Sequence, residues 1–329
     1  MEPIKYGSIG QFRHLIKDIQ RVNDGEPRKV LLFGTVKVHG TNASVIIQPD
    51  GSQYPQSRNN ILSVENDNLG FAKWHADNKR VFKELADRIH TYDETTKRST
   101  IVIYGEWAGK GIQKGVAVSE VERFFYIFGV KIVDQFDKWL RYYPSLSHPG
   151  ATSPIIDARD IWYKSILIDF SNPLESQNQL VAFTETVEGN CPVGDYFGVH
   201  GVGEGVVWET INNEGVRFNC KVKGEKHSVS KVKKLAPIDT DKLNSINEFV
   251  EYAVTENRLR QGLFEVCNNN PDRQLLGAFI KWVSSDIMKE ELDTLQDNGL
   301  NMRDVGRTLS EKARRWFFEQ EVAHDEFLQ

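Results

Sequence analysis

Hydrophobic and polar residues alternate in short runs over the first two thirds of the chain and follow a helical period in the last third. Runs rich in β-branched and aromatic residues predict strands at 30–38, 43–48, 100–107, 124–133, 205–211 and 216–223. Between them, apolar residues at helical spacing predict a helix over 73–90. The stretch 141–160 contains three prolines, which favour an irregular surface insertion.

The pattern becomes helical after Pro237. Apolar residues three and four positions apart predict amphipathic helices in three stretches. The three stripes are Ile246, Phe249, Val250, Ala253 and Val254; Ile280, Val283 and Ile287; and Val305, Leu309, Ala313 and Trp316. We therefore predict an α+β domain of antiparallel sheets with flanking helices over 1–237, followed by a small all-helical domain over 238–329.

The composition is that of an ordinary globular protein, with 40% hydrophobic and 26% charged residues in 329, and it excludes intrinsic disorder. No apolar run approaches the ~20 residues of a membrane span, and the N-terminus has no signal-like apolar region. The three cysteines, Cys191, Cys220 and Cys267, are far apart and lack metal-binding spacing. We expect buried free thiols and a reducing, cytoplasmic environment.

The net charge of −5 for the whole chain argues against a nucleic-acid partner. The two parts of the chain, however, differ in charge. Residues 1–238 carry 30 basic and 28 acidic residues, whereas residues 239–329 carry 11 basic and 18 acidic residues. The segment 221–234 holds six lysines and one glutamate. A local lysine cluster of this kind suits an anionic partner, although it is also typical of a solvated surface.

Two segments concentrate residues capable of chemistry. In a predicted hairpin at 36–47, Val36 and Val38 alternate with Lys37 and His39, so the lysine and the histidine share one strand face. Lys37 could be a nucleophile, a phosphate-binding cation or an ordinary exposed strand residue.

In the second segment, 212–215 predicts a four-residue hairpin loop. Pairing of Ile211 with Val216 would place Glu204 opposite Lys223, with Lys221 on the same face. Two lysines and a carboxylate there would bind a phosphate, or would form a simple cross-strand salt bridge.

Taken in order, these segments resemble the motifs of covalent nucleotidyltransferases, and most closely those of the RNA ligase 2 family of phage and kinetoplastid RNA-editing ligases. KVHGTN (37–42) resembles the nucleotidyl-lysine motif, followed at the expected distance by Arg58. The later motifs are YGEWAGKGIQKGV (104–116), FYIFG (125–129), EGVVWE (204–209) and KVKGEKHS (221–228). Two positions depart from the pattern: Gly129 replaces the usual Asp after Phe128, and Val36 replaces a Glu found in some relatives.

The resemblance implies an ATP-dependent RNA ligase that joins 3′-OH and 5′-phosphate RNA ends through a lysyl-AMP on Lys37. It implies catalytic roles for His39, Lys221 and Lys223, and nucleotide contacts from Val38, Thr41, Asn42, Arg58, Glu106 (ribose), Phe128 (adenine stacking) and Glu204. The expected metal is Mg²⁺ or Mn²⁺, with Glu204 acting on it through water.

For partners, the resemblance implies RNA in a nicked or bridged duplex, contacted along its backbone by the basic run 226–234. We expect a monomer with no membrane partner. Because the C-terminal domain is acidic, we expect it to position the 5′-phosphate through a local patch such as Arg314 and Arg315. A capping guanylyltransferase, a DNA ligase or a non-catalytic RNA-binding protein on the same scaffold are the alternatives.

Overall fold

The structure is a computed structural model that describes residues 1–22, 29–135, 137–148, 154–169, 173–223, 246–297 and 299–328. The chain divides into two units, Met1–Val222 and Lys223–Gln329. The predicted boundary at 237–238 and the basic run 226–234 both lie outside the described residues. In the first unit, antiparallel sheets are flanked by helices, and the described part of the second unit is helical, which confirms the predicted α+β class.

The strands of the first unit form two sheets, one of four strands and one of six among the described residues. The strands are β1 Lys29–Lys37, β2 Thr41–Ile47, β3 Gln53–Ser57, β4 Thr100–Ala108, β5 Phe124–Val133, β6 Lys138–Trp139, β7 Ile155–Asp157, β8 Tyr163–Asp169, β9 Gly205–Ile211 and β10 Arg217–Lys223. The helices are α1 Phe12–Val22, α2 Phe71–Asp77, α3 Lys79–Tyr92, α4 Ala158–Ile161, α5 Pro173–Gly189 and α6 Pro192–Tyr196.

The four-stranded sheet has the order β10-β9-β1-β8, and β1 is antiparallel to both of its neighbours. One face is buried: Val36 lies opposite Val206, and the Trp208 ring packs 5.5 Å from Phe183 of α5. Gly34 is opposite Trp208, and a Cβ at Gly34 would lie 2.7 Å from that ring. The sequence therefore needs a glycine in the middle of β1, where the indole covers the backbone.

The six-stranded sheet runs β3-β2-β4-β5-β6, with β7 added parallel to β5. Its inner face packs on α2 and α3 through a core that includes Val45, Phe82, Ile103 and Phe125. Alternation along β2 and β4 turns Asn42 and Glu106 to the opposite face, away from these helices. This second face carries a smaller apolar cluster of Tyr6, Ile46, Val102 and Tyr104, with Asn42 and Glu106 at its end.

Two of the expected elements differ from the prediction. The helix expected over 73–90 is two helices, because the chain breaks at Asn78, whose side-chain Nδ2 donates to the Trp74 carbonyl at 2.8 Å. The stretch 141–160 is not only a surface insertion: Leu146 is buried, and β7 pairs with the central strand β5. Leu146, between two of its prolines, and Ile155, after the third, anchor it to the core of the sheet.

The second unit contains α7 Ile246–Ala253, α8 Glu256–Cys267, α9 Leu276–Asp297 and α10 Met302–Leu328. Its core confirms the predicted stripes, since Phe249, Val283 and Leu309 are buried. One position differs: Phe317 is fully buried and the predicted Trp316 is only half-buried. Arg258 is buried as well, and its guanidinium is paired with Asp286 at 2.8 Å and Glu291 at 3.5 Å.

The three cysteines are buried and free, as expected. Within the described ranges, no helix is both long enough and apolar enough to cross a lipid bilayer.

A buried histidine makes the stability of the first unit depend on pH. His75 of α2 lies 3.0 Å from Gln53 Oε1 through its Nε2, and burial lowers the pKa of His75 to about 4. The unfolded chain takes up this proton near pH 6.5, so the free energy of unfolding falls as the pH drops below 6.5 and continues to fall until about pH 4. At pH 5 this histidine lowers the free energy of unfolding by about 2 kcal/mol.

Urea unfolding at pH 7.5 and pH 5.0 measures this effect. In His75→Gln, the difference between the two pH values should shrink by about 2 kcal/mol. An undiminished difference in the variant would show that other groups cause the pH dependence.

Candidate active site

Lys37 and Thr41 belong to different sheets. Lys37 is the last residue of β1 in the four-stranded sheet, and Thr41 is the first residue of β2 in the six-stranded sheet. The hairpin predicted at 36–47 is therefore wrong, because β1 pairs with β8 and β9 instead of with β2. The connector formed by residues 38–40 joins the two sheets, with Val38 buried as predicted.

The connector is packed closely against β4. A Cβ at Gly40 would lie 2.4 Å from the Trp107 carbonyl oxygen and 2.8 Å from Glu106 Cγ, so no side chain fits there. Gln113 Nε2 donates to the Gly40 carbonyl at 3.3 Å, and Asn68 Nδ2 donates to Thr41 Oγ1 at 3.1 Å. The sequence KVHGTN thus fixes where Lys37 stands relative to Glu106.

Glu204 contacts Lys37 and His39 of this motif. Its Oε2 accepts a hydrogen bond from Lys37 Nζ at 2.7 Å and lies 3.4 Å from His39 Nδ1. The Glu204 side chain is only 2% exposed and that of Lys37 is 20% exposed. This contact by itself favours the ammonium form of Lys37, since an opposite charge nearby stabilises the charged state.

The hairpin between β9 and β10 has a shorter loop than expected. Asn212 N donates to the Val216 carbonyl at 2.9 Å, so 212 and 216 close a three-residue loop. Gly215 has φ +78° and forms the bulge that such loops require. The predicted pairing of Ile211 with Val216, and with it the facing of Glu204 and Lys223, is therefore shifted by one residue.

The two lysines of β10 nevertheless lie on one side of their strand. Cys220 and Val222 are buried, while Lys221 and Lys223 alternate with them and are half-buried. This alternation confirms the predicted polar face. The Lys221 backbone N–H donates to the Gly10 carbonyl at 2.8 Å, so the N-terminal segment covers the free edge of β10.

Three of the predicted nucleotide-binding residues form a row across the six-stranded sheet. Asn42 lies directly opposite Glu106, and Ala43 lies opposite Ser57, which places Arg58 just beyond the end of β3 beside Asn42. Asn42 and Glu106 are half-buried and Arg58 is exposed. The row offers an amide, a carboxylate and a guanidinium on adjacent strands.

Phe128 lies at a bulge in β5. Tyr104 pairs with Gly129 and Gly105 pairs with Ile127, so Phe128 is left without a partner on β4. Its ring is half-buried and meets Tyr6 edge-on, with centroids 4.8 Å apart. A bulge that re-aims one side chain beside a ligand site is a recurring device in sheets.

A family model described as RNA ligase matches residues 31–324 of the chain. The chain belongs to the RNA ligase family. All the motif residues named above fall within this match, so the geometry around Lys37 is that of an RNA ligase family member.

Solved structures of RNA ligases are similar to part of the chain. A lysine-to-alanine mutant of Naegleria gruberi RNA ligase with ATP and Mn matches at 16% identity with a TM-score of 0.43, covering 68% of this chain and 58% of that chain. The same ligase with PPi matches at 16% identity and a TM-score of 0.43, with the same coverage. A lysine-to-methionine mutant with AMP and Mn matches at 17% identity and a TM-score of 0.42, again with the same coverage.

In this RNA ligase family member, nothing in the sequence indicated that Tyr6 and Arg217 belong to the site. Arg217 is 6% exposed, and its guanidinium lies between the rings of Tyr6, at 3.8 Å, and Trp139, at 4.0 Å. A Cβ at Gly129, where the resemblance leads us to expect Asp, would lie 3.7 Å from Arg217 Nη1. Two aromatic rings and the carboxylate of Glu209, 3.9 Å from Arg217 Nε, therefore surround this cation.

The predicted pair Arg314 and Arg315 belongs to the second unit. Arg314 and Arg315 are exposed on α10 in the second unit. In the part of the chain that the structure describes, no group of three or more His, Cys, Asp or Glu side chains is arranged to hold a metal ion.

Proposed function

We propose that this member of the RNA ligase family is an ATP-dependent RNA ligase of the RNA ligase 2 branch, which seals 3′-OH and 5′-phosphate RNA ends. The observation that carries the proposal is the contact of Lys37 Nζ with Glu204 Oε2 at 2.7 Å, which joins the residues at the family's nucleophile and fourth-motif positions. Family membership over residues 31–324 supports the same reaction.

In the first step, Lys37 Nζ attacks the α-phosphorus of ATP, forms a P–N bond and expels pyrophosphate. An ordinary lysine is almost wholly protonated at pH 7, so Nζ must first lose a proton. Lys221 and Lys223 carry positive charge that disfavours the ammonium form, and the same charge offsets that on the phosphates.

The row on the six-stranded sheet would hold the nucleoside and phosphates. Glu106 would accept hydrogen bonds from the ribose hydroxyls, and Asn42 and Arg58 would contact phosphate or sugar. Phe128 would stack on adenine, a role supported by the bulge that projects it from β5. Val38 in the connector and Thr41 at the start of β2 would contact the nucleotide, and the position of the connector is fixed by its packing on β4.

A divalent cation fits the donor set only in part: Glu204 is a buried carboxylate in contact with Lys37, and in the described part of the chain no group of three or more His, Cys, Asp or Glu side chains is arranged to hold a metal ion. Mg²⁺ takes oxygen ligands and commonly keeps several waters, so Glu204 would act on it through water while phosphate oxygens complete the shell. When bound, Mg²⁺ or Mn²⁺ would neutralise charge on the phosphates.

In the second step, the RNA 5′-phosphate attacks the lysyl-AMP and displaces Lys37 Nζ, which takes up a proton. In the third step, the 3′-hydroxyl attacks the activated 5′ end, loses its proton and expels AMP. His39 lies 3.4 Å from Glu204 and is suited to moving protons in these two steps. The run 226–234 would follow the RNA backbone, which makes binding salt-sensitive.

The test is incubation of the wild-type protein with α-³²P-labelled ATP or GTP and Mg²⁺, followed by denaturing electrophoresis. We expect label from ATP, released on addition of 5′-phosphorylated nicked RNA and accompanied by sealing. Label from GTP alone would indicate a capping guanylyltransferase, and sealing of nicked DNA but not RNA would indicate a DNA ligase. Absence of label from both nucleotides, in folded protein stripped of AMP, would leave an RNA-binding protein.

The exposed pair Arg314 and Arg315 provides a prediction for the second unit. Replacing both with Ala should slow the sealing of phosphorylated RNA about tenfold, because charge-assisted contacts to a 5′-phosphate are lost. Lysyl-AMP formation should remain unchanged. Arg307→Ala on the same helix, whose guanidinium pairs with Glu311 at 2.9 Å, is the matched control. Equal loss of both activities in the double variant would contradict this role.

A further inference from the structure

The face of the four-stranded sheet that carries Lys37 continues into an exposed apolar surface. Alternation along β1 puts Leu31, Phe33 and Thr35 on the same face as Lys37. On the neighbouring strand β8, Leu167 lies opposite Leu31 and Tyr163 lies opposite Thr35. We name Leu31, Phe33, Tyr163 and Leu167 the β1–β8 strip.

The strip presents flat aromatic surface to solvent. The rings of Phe33 and Tyr163 are stacked, with centroids 5.4 Å apart and planes 6° from parallel. Tyr163 is 45% exposed and Leu167 is 56% exposed, in a sheet whose opposite face is packed on α5. Exposed apolar surface of this kind marks an interaction site more often than an accident of packing.

Ion pairs border the strip. The carboxylate of Asp169 at its outer end lies 3.5 Å from Lys29 Nζ, and that of Glu209, opposite Phe33, lies 3.9 Å from Arg217 Nε. These two carboxylates are thus paired. Burial raises the pKa of Tyr163 and Glu209 adds to the rise, whereas Arg141 and Arg159 oppose it, and Arg159 is itself paired with Asp157 at 2.6 Å.

We propose that the β1–β8 strip is a stacking platform for one or two bases of the RNA strands next to the junction being sealed. This inference rests on the proposed function and adds a substrate subsite to it. Phe33 is four residues from Lys37 on the same strand, or about 13 Å along it, which is within reach of an RNA end activated at Lys37. Aromatic rings on a sheet face beside cations bind bases by stacking without reading their sequence.

The test compares Tyr163→Ala with Tyr163→Phe, which keeps the ring. Tyr163→Ala should raise the KM for nicked RNA about 5- to 100-fold, as expected for the loss of one base stack, while Tyr163→Phe stays near wild type. Leu167→Glu, which places a negative charge on the strip, should also raise this KM. The rate of lysyl-AMP formation and the KM for ATP should not change in any of the three.

Abasic nucleotides placed one at a time at the three positions on each side of the junction locate the stacked base. At one position the missing base should raise the wild-type KM by the same factor as Tyr163→Ala, with no further rise when the two changes are combined. Additive effects at every position, an unchanged RNA KM in Tyr163→Ala, or a raised KM for ATP would each overturn the platform.

Failure of the platform can be told apart from failure of the proposed function. If the wild-type protein forms no lysyl-AMP, the ligase proposal fails, and the strip is then tested by RNA binding measured by fluorescence anisotropy. Tyr163→Ala should again weaken that binding 5- to 100-fold. If the wild-type protein seals RNA normally and Tyr163→Ala leaves the KM for nicked RNA unchanged, only the platform proposal is wrong. Thermal unfolding of each variant confirms that it is folded.

Discussion

Lys37→Arg is expected to abolish lysyl-AMP formation, with a loss of at least ~10³-fold. The guanidinium keeps the positive charge and can still contact Glu204, whose Oε2 accepts from Lys37 Nζ at 2.7 Å in the native site. Arginine cannot be deprotonated in proteins and therefore has no nucleophilic nitrogen. Labelling with α-³²P-ATP measures the loss, and Lys37→Ala should behave in the same way.

Lys37→Arg should retain part of the activity in the last step. Sealing of RNA that already carries a 5′-adenylate needs no new bond to Lys37, so Lys37→Arg should still join it. The matched control is Lys29→Ala on the same strand and face, where the exposed Lys29 pairs through Nζ with the half-buried Asp169 at 3.5 Å. If Lys37→Arg labels normally, or if Lys29→Ala loses labelling equally, Lys37 is not the nucleophile.

Glu204→Gln should slow lysyl-AMP formation on the order of 100-fold. The carboxylate is nearly inaccessible to solvent and contacts both Lys37 and His39, so it fixes the direction from which Nζ can approach phosphorus. Glutamine keeps the volume and one acceptor but removes the charge that would organise metal-bound water. Rapid-quench labelling at saturating ATP measures the rate.

Glu214→Gln in the exposed β9–β10 loop is the control for general charge effects. Because the Glu204 variant leaves Lys37 without its anionic partner, thermal unfolding must show that it is still folded under the assay conditions. A rate for Glu204→Gln within twofold of wild type would rule out a positioning role for this carboxylate.

The pattern of apolar residues predicts the strands that have long apolar runs of their own. β4, β5 and β9 lie at or within one residue of their expected bounds, because their apolar runs are long and end at turn residues. β8 was missed although its sequence, YKSILID, alternates. It is an edge strand with exposed apolar residues, so its pattern is weak. The false hairpin at 36–47 arose because strand pairing with β8 and β9, more than 120 residues away, leaves no trace in nearby sequence.

The site was predictable to the extent that its residues occupy motifs. The shared face of Lys37 and His39 followed from the buried valines, and both side chains do reach Glu204. The positions of Tyr6 and Arg217 did not follow, because the cation–π contact between them joins the N-terminal segment to β10. Contacts between segments so far apart depend on the assembled fold, as does the bulge that frees Phe128.

The connector at residues 38–40 has a consequence for how the length of this segment can vary. Most surface loops accept an added residue at little cost, because closing a slightly longer loop loses little entropy. Here three residues span two sheets, and the Gly40 backbone lies against the Trp107 carbonyl. The connector therefore sets the spacing between the two sheets: a single inserted residue would leave both sheets intact and yet carry Lys37, the proposed nucleophile, out of register with the row of Asn42, Glu106 and Arg58 that we propose binds the nucleotide.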